Sequence, residues 1–351
     1  MHGQGDFQDL SLKTPPTPAV VCRSLTYQDL GEVFRLAEDR PGFGSRLKMI
    51  ASRSAHIKLW SDVLRRKAVL GGLAELAAPI EDGRVLVFGL VGFVRRNWAR
   101  NFLERPFPFV GLYILERLLA GTDDILLNDT EVRDANSSDG LHAVVMLSGW
   151  KFHTGRPSFE LKVASMEAFL HTCRGFRLKE FISEVSDGPE AEFALSNHAW
   201  RERKRFQDPY PCAASPGIVI IGINSSEVRE PQRETSVLAS LFVWREILFG
   251  FTPDQQALLL LAMEQLPDRE IAQRLGVGAD AIGRRLDRIY RRVAARQHTL
   301  NQVFPEGVDN SLKRRLLIDY LNRNFHELRP HNFHLVKTVQ NDRRANYLSE
   351  V

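Results

Sequence analysis

The order of apolar and polar positions divides the chain into a long mixed part and a shorter, strongly periodic one. Tyr27–Glu38 predicts a helix, with Leu30, Val33, Phe34 and Ala37 on one side and Thr26 placed to cap it. Ile57–Ala78 predicts a longer helix whose middle is weakened by Gly71-Gly72. Val85–Val94 is an unbroken apolar run between Asp82-Gly83 and Arg95-Arg96, the mark of a strand. After the breakers Pro106 and Pro108, Val110–Leu119 predicts a helix. Leu141–Trp150 predicts a second strand behind the turn-rich Asn136–Gly140. Phe159–Val163 alternates as a third strand would, Ser165–Cys173 predicts a helix, and Ile218–Ile223 a buried strand framed by Pro216-Gly217 and Asn224. Thr235–Phe249 predicts a helix, and the charge run Arg201–Arg205 a solvated face or loop. Strands interspersed with helices over residues 20–248 favour an α+β domain of the sensory or dimerising kind. Residues 1–19 are polar and proline-rich, which predicts a flexible tail.

The periodic part begins at Phe251. Thr252 can cap a helix with Pro253 at its first position and Gln255 closing the box, while Leu258, Leu259, Leu261 and Ala262 form its buried side. Pro267 interrupts it. Asp268–Leu275 restarts a helix with Ile271, Ala272 and Leu275 inward, and Gly276 follows where a tight turn needs positive φ. In the third helix, Ala279–Ala295, Ile282, Leu286, Ile289 and Val293 share one side, and Arg284, Arg285, Arg288, Arg291 and Arg292 lie on the other. Three such helices are the layout of a helix-turn-helix, an all-α domain over residues 249–297. Ala281, Gly283, Arg284 and Arg285 would then face base edges, and Arg288, Arg291 and Arg292 phosphates.

This stretch resembles the LuxR-type helix-turn-helix domain. The family's opening Leu-Thr-Pro stands here as Phe251-Thr252-Pro253, its Asn-Lys-Glu-Ile-Ala as Asp268-Arg269-Glu270-Ile271-Ala272, and its Leu-Gly-Val as Leu275-Gly276-Val277. The closing Leu-x-x-Ile-Tyr-x-Lys-Leu stands as Leu286 to Val293. The match covers about 45 of the 351 residues. Its departures are Gln255, Ala257 and Gln265 near the start, and Ala281-Ile282-Gly283 where the family has Thr-Val-Lys. The resemblance implies a transcriptional regulator that binds double-stranded DNA as a homodimer, with Thr252 and Arg269 joining the residues just named at the interface. Residues 298–351 form an extension, with Ser311–Phe325 as an amphipathic helix.

Composition adds little that is specific. Apolar content of 44% and charged content of 26% are those of an ordinary soluble protein. A net charge of +4 means any affinity for nucleic acid rests on local clustering. The longest apolar runs fall far short of the roughly 20 residues of a membrane span, and residues 1–20 hold no signal-peptide core, so a cytoplasmic location is expected. Cys22, Cys173 and Cys212 lack metal-like spacing and read as reduced packing thiols. No Gly-x-Gly-x-x-Gly, P-loop, Gly-x-Ser-x-Gly or His-Glu-x-x-His occurs. His142, His153, His171 and His198 are scattered; Asp123-Asp124, Asp129 and Glu131 read as caps; the five tryptophans read as core or as rim of a ligand pocket. The element order is also similar to an acetyltransferase fold, but the Gln/Arg-x-x-Gly-x-Gly/Ala loop for the acyl-CoA pyrophosphate is missing from residues 20–248. No cofactor and no catalysis are therefore expected. A small-molecule ligand of the N-terminal domain fits the sensory expectation. The alternative is an acyltransferase-like enzyme, or a ligand-binding protein, with a helical module for a protein partner.

Overall fold

A computed structural model describes residues 20–40, 43–66, 68–76, 84–151, 159–196, 200–207, 217–231, 236–264, 266–297, 303–305 and 307–329. The tail predicted at 1–19, His153, His198, Cys212 and everything after 329 lie outside them. In chain order the elements are β1 (Val20–Ser24), α1 (Leu30–Glu38), α2 (Phe43–Ile50), α3 (Arg53–Val63), β2 (Val69–Leu76) and β3 (Val85–Val94). Then come α4 (Arg96–Glu104), α5 (Val110–Leu119), α6 (Asp129–Ser137), β4 (Leu141–Trp150), α7 (Phe159–Cys173), β5 (Leu178–Ser186), α8 (Pro189–Ser196), β6 (Arg201–Phe206) and β7 (Ile218–Asn224). The chain closes with α9 (Pro253–Met263), α10 (Asp268–Leu275), α11 (Ala279–Arg296) and α12 (Asn310–Arg323).

The strands form one seven-stranded sheet in the order β1-β2-β3-β4-β5-β7-β6, so the molecule is mixed α/β. Neighbours are antiparallel except β4 and β5, which run parallel. A parallel pair needs a long crossover. That requirement explains α7: the alternating Phe159–Val163 is not a strand but the first turns of one 15-residue helix. The helix predicted over Ile57–Ala78 is likewise corrected. It stops at Val63, and Val69–Leu76 forms β2, buried along its whole length. The strand also explains why a glycine stands at position 72. A Cβ there would sit 1.9 Å from the Thr172 hydroxyl, so its absence lets α7 lie flat on the sheet.

One face of the sheet packs against α1, α2, α3 and α5 through Phe34, Leu47, Trp60, Val110 and Ile114. The opposite face packs α7 against Phe93, Phe176 and Phe181. Arg201–Arg205 is not a loop but the edge strand β6, where charge is tolerated because one side of the ladder is open. Arg203 reaches back to Glu227 at 2.6 Å and to Glu180 at 3.3 Å.

The helix predicted over Thr235–Phe249 is reduced to a 3₁₀ segment, Val237–Phe242. The backbone N–H groups of Leu248 and Phe249 instead donate to the two oxygens of the Glu327 carboxylate, at 2.8 and 3.0 Å. α9 to α12 enclose a core of their own, centred on Phe249, Leu260, Ile282, Ile289 and Leu321. Among the described residues no helix is long and apolar enough to cross a membrane.

Candidate functional site

The β4–β5 ladder is short. Leu141–Val144 pairs with residues from Leu178 to Ile182, with a shift after Leu141, and no further pair follows. Past that point β4 continues to pair with β3 as far as Trp150, and β5 with β7 as far as Ser186. The two strands therefore diverge, leaving a cleft inside an otherwise closed sheet. A cavity of about 690 Å³ fills this opening. Ser148, Gly149 and Trp150 line it from β4, and Ser183, Glu184 and Val185 from β5. Met166, Phe169 and Leu170 of α7 line it from one face of the sheet, and Arg40 from beyond α1 on the other.

Glu184 stands at the polar end. It accepts hydrogen bonds from the backbone N–H groups of Phe109 and Val110, the latter at 3.1 Å, at the N-terminus of α5. Phe109 has φ 63°, a left-handed backbone unusual for a residue with a side chain, and this turn aims both N–H groups at one carboxylate oxygen. The Arg46 guanidinium lies 4.3 Å over the Phe109 ring and pins it. Burial pushes the Glu184 carboxyl up to about 7, against the opposing pull of Arg40 and the two N–H groups. The group therefore exchanges a proton near neutral pH, the property required of a general base.

Arg40 donates to the Ser148 carbonyl and to the Glu190 carboxylate, both at 3.3 Å, and Glu190 accepts from Ser186 N–H at 2.9 Å. The guanidinium is thus held at the cavity wall between the two diverging strands. Trp150 and Trp200 line the cavity, while Trp60 is core, Trp98 stacks on Phe102 and Trp244 lies under Arg177. Of the histidines, His171 is pushed down to about 4 by burial and His142 is lowered for the same reason; neither lines the cavity. Burial pushes the Cys22 thiol up to about 11 and Cys173 to about 12, which makes both poor nucleophiles.

The residues predicted to meet DNA lie elsewhere. Thr252 caps α9: its hydroxyl accepts from Gln255 N–H at 3.4 Å and its own N–H donates to Gln255 at 3.1 Å. Arg269 is exposed on α10. On α11, Gly283, Arg284, Arg288 and Arg291 are exposed, and Ala281, Arg285 and Arg292 half-buried. Arg288 and Arg291 fold back onto the carbonyls of Arg284 and Asp287, both at 3.4 Å, and Arg292 donates to the Gly250 carbonyl. Gly276 takes φ 65° and ends α10 as expected. None of these residues touches the cavity. Glu184, Arg40 and Glu190 were not legible as a site. They are far apart in sequence, and Glu184 is perturbed by N–H groups about 75 positions earlier.

No protein-family model matches the chain, and no curated protein matches it. Solved structures do. A mutant of the spermidine N-acetyltransferase SpeG of Vibrio cholerae is 10% identical over 60% of this chain and 96% of its own, with a TM-score of 0.36. The ribosomal-protein-S18-alanine N-acetyltransferase of Escherichia coli is 10% identical over 59% and 94%, with a TM-score of 0.34. The C-terminal condensation domain of Ebony is 12% identical over 59% and 100%, with a TM-score of 0.36. These neighbours are acetyltransferases and a condensation domain, and on that finding two expectations are corrected. The chain is not read as a LuxR-type DNA-binding transcription regulator, and the expectation of no catalysis is withdrawn. The error has a physical origin. The legible motif occupied about 45 residues, whereas the cleft is assembled by sheet topology that no local pattern displays.

Proposed function

We propose that the chain is an acyl-group transferase working in the cleft between β4 and β5. One observation carries the proposal: a carboxylate that titrates near neutrality, Glu184, stands where two parallel strands part around a cavity of about 690 Å³. Past Val144 the β4 edge faces the gap rather than a strand, so an extended ligand with amide groups can add to it as a strand would. The pantetheine arm of an acyl thioester has that form. The run Gln/Arg-x-x-Gly-x-Gly/Ala does not occur in residues 20–248, and its one match, Gln273–Gly278, lies at the end of α10, so the donor is assigned only as an acyl thioester on such an arm.

An acceptor bearing an N–H or O–H would enter from the Arg40 side. Its heteroatom attacks the thioester carbonyl carbon, the new bond to carbon forms and the C–S bond breaks. Glu184 takes the proton the acceptor loses, and the departing thiolate takes one from water. Arg40 holds Ser148 and Glu190 in place at the mouth.

The three-helix unit enters this proposal as a scaffold of the helix-turn-helix kind, supported by its helix lengths and the Gly276 turn, and used as a docking surface for a protein partner.

The experiment is thiol release. The chain is incubated with acyl thioesters and a panel of amines and alcohols, and free thiol is followed by absorbance. Acceptor-dependent release that disappears in E184Q supports the proposal. No release with any donor, or release unchanged by E184Q, overturns it.

A further inference from the structure

The cavity has two unlike ends. At one of them Arg40 bonds Glu190 and the Ser148 carbonyl, and Glu184 lies beside these charged groups. Successive residues of a strand point to opposite faces of a sheet, so Val185 faces away from Glu184, and it packs against Ala191 and Ile221. On that other face the large side chains are apolar, Met166, Phe169 and Leu170 from α7 with Val87 of β3, among the smaller Ser165 and Ser183 and beside Glu167. The Phe169 ring is 6.1 Å from that of Phe181, which lies 5.2 Å from Trp200. An acetyl group carries one methyl and leaves this half of the cavity unfilled. Pockets of about 300–1,000 Å³ enclose whole drug-sized molecules.

We infer that the group transferred is an acyl chain longer than acetyl, its tail lying along α7 against Val87, Met166, Phe169 and Leu170. This rests on the transferase reading and specifies its donor. Phe169 forms the end wall. Its ring backs onto the sheet at Gly89, where a Cβ would stand 3.1 Å from the ring. Behind it lies a void of about 10 Å³ lined by Gly72, Gly89, Ala168 and Thr172. The depth available to a tail is thus set by one side chain over Gly89. Removing that ring opens the void to the cavity, whereas a bulkier side chain at Met166, one turn closer to the start of α7, shortens the space.

The test is a chain-length series. Acetyl-, butanoyl-, hexanoyl-, octanoyl- and dodecanoyl-pantetheine are titrated into the full chain by calorimetry, alongside thiol release with each. Each added methylene is expected to tighten binding about four-fold until the wall is met. M166W should move the optimum to a shorter chain and F169A to a longer one, and a shift by either suffices where the other fails to fold. Acetyl binding as tightly as octanoyl, or an optimum unmoved in both folded variants, overturns the inference while turnover leaves the transferase reading standing. Free octanoate binding without turnover of any thioester overturns the transferase reading instead. Absence of binding across the whole series overturns both.

Discussion

Replacing Glu184 by glutamine separates the charge of the group from its shape. One carboxylate oxygen accepts from both Phe109 and Val110, and an amide oxygen can do the same, so E184Q keeps the contacts and removes the titration. In the folded chain burial lifts the carboxyl from 4.5 to about 7. The sign follows from which state holds the proton more tightly. The folded state does, so the stability of the protonated group is complete below about 4.5 and is lost as pH rises through about 7. At 1.36 kcal/mol per unit, the loss between pH 5 and pH 8 is about 2–3 kcal/mol. That figure is an upper one, because Glu184 keeps an edge on the cavity where water can screen it. For a chain of 351 residues it corresponds to roughly 3 °C in melting temperature. The assay is calorimetric melting of both proteins across pH 5–8. Burial also pushes Glu180 up to about 7, but Glu180 is common to both proteins and cancels in the difference. E184Q should melt near wild type at pH 5 and above it at pH 8. Parallel curves would show that Glu184 is not raised, and the general-base argument would fall with it.

The same group sets the expected rate profile. Wild-type thiol release should rise about tenfold per pH unit below about 7 and flatten above it, whereas E184Q should lack the limb and fall by roughly 10²–10⁴-fold. A wild-type profile flat from pH 5 to 8 would remove Glu184 from the chemistry. Gly111→Ala places a Cβ 1.9 Å from the Met146 carbonyl, which cannot yield without moving β4. It should cost at least about 3 kcal/mol in urea unfolding, and a loss under about 1 kcal/mol would contradict the close approach of α5 to the sheet. Arg329→Ala removes a buried fork that donates to the Arg174 and Thr172 carbonyls at 2.9 and 3.0 Å. A destabilisation of about 2–4 kcal/mol is expected in guanidinium unfolding, not restored by R329K, and a neutral result would refute that role. Arg284→Ala with Arg285→Ala should change neither stability beyond about 1 kcal/mol nor thiol release, since Arg284 is exposed, Arg285 half-buried and neither lines the cavity.

What the sequence made legible were elements whose pattern is complete within the element. β3 and β7 announce themselves because they are buried on both faces and read as continuous apolar runs. α11 does so because Ile282, Leu286, Ile289 and Val293 recur on one side. β2 was misread because glycines weaken a helix and a strand alike, and the reason for Gly72 lies about 100 residues away in Thr172. α7 was split because Phe-Glu-Leu-Lys-Val alternates, and only the parallel pairing of β4 with β5 demands a helix there. Glu184 shows the limit most plainly. Its strand reads Phe-Ile-Ser-Glu-Val, an ordinary alternation in which a glutamate is expected to face water. Its character comes from Phe109, Val110 and Arg40, none of them near it in the chain.

The junction between the sheet and the C-terminal helices bears on how these parts work together. Arg329 is 4% exposed, and burial pushes its guanidinium down to about 9. It stacks 4.2 Å from the Phe176 ring and 4.7 Å from that of Phe325 while binding carbonyls at the end of α7. A cation at that end of a helix is favoured by the helix dipole. Arg174 adds a second contact, 4.1 Å over the Phe325 ring. Glu327, wholly buried, joins the same segment to Leu248 and Phe249 at the entry to α9. The short segment after α12 therefore grips both the C-terminus of α7 and the start of the three-helix unit. α7 is the helix whose Met166, Phe169 and Leu170 wall the cavity. Its middle crosses the sheet at Gly72 and Gly89, where Thr172 and Phe169 come close to the strands. Arg329 holds the C-terminal end of that helix through the Thr172 and Arg174 carbonyls. The helical unit that looked in sequence like a separate module is thus joined, through Glu327 and Arg329, to the end of the helix that walls the cleft.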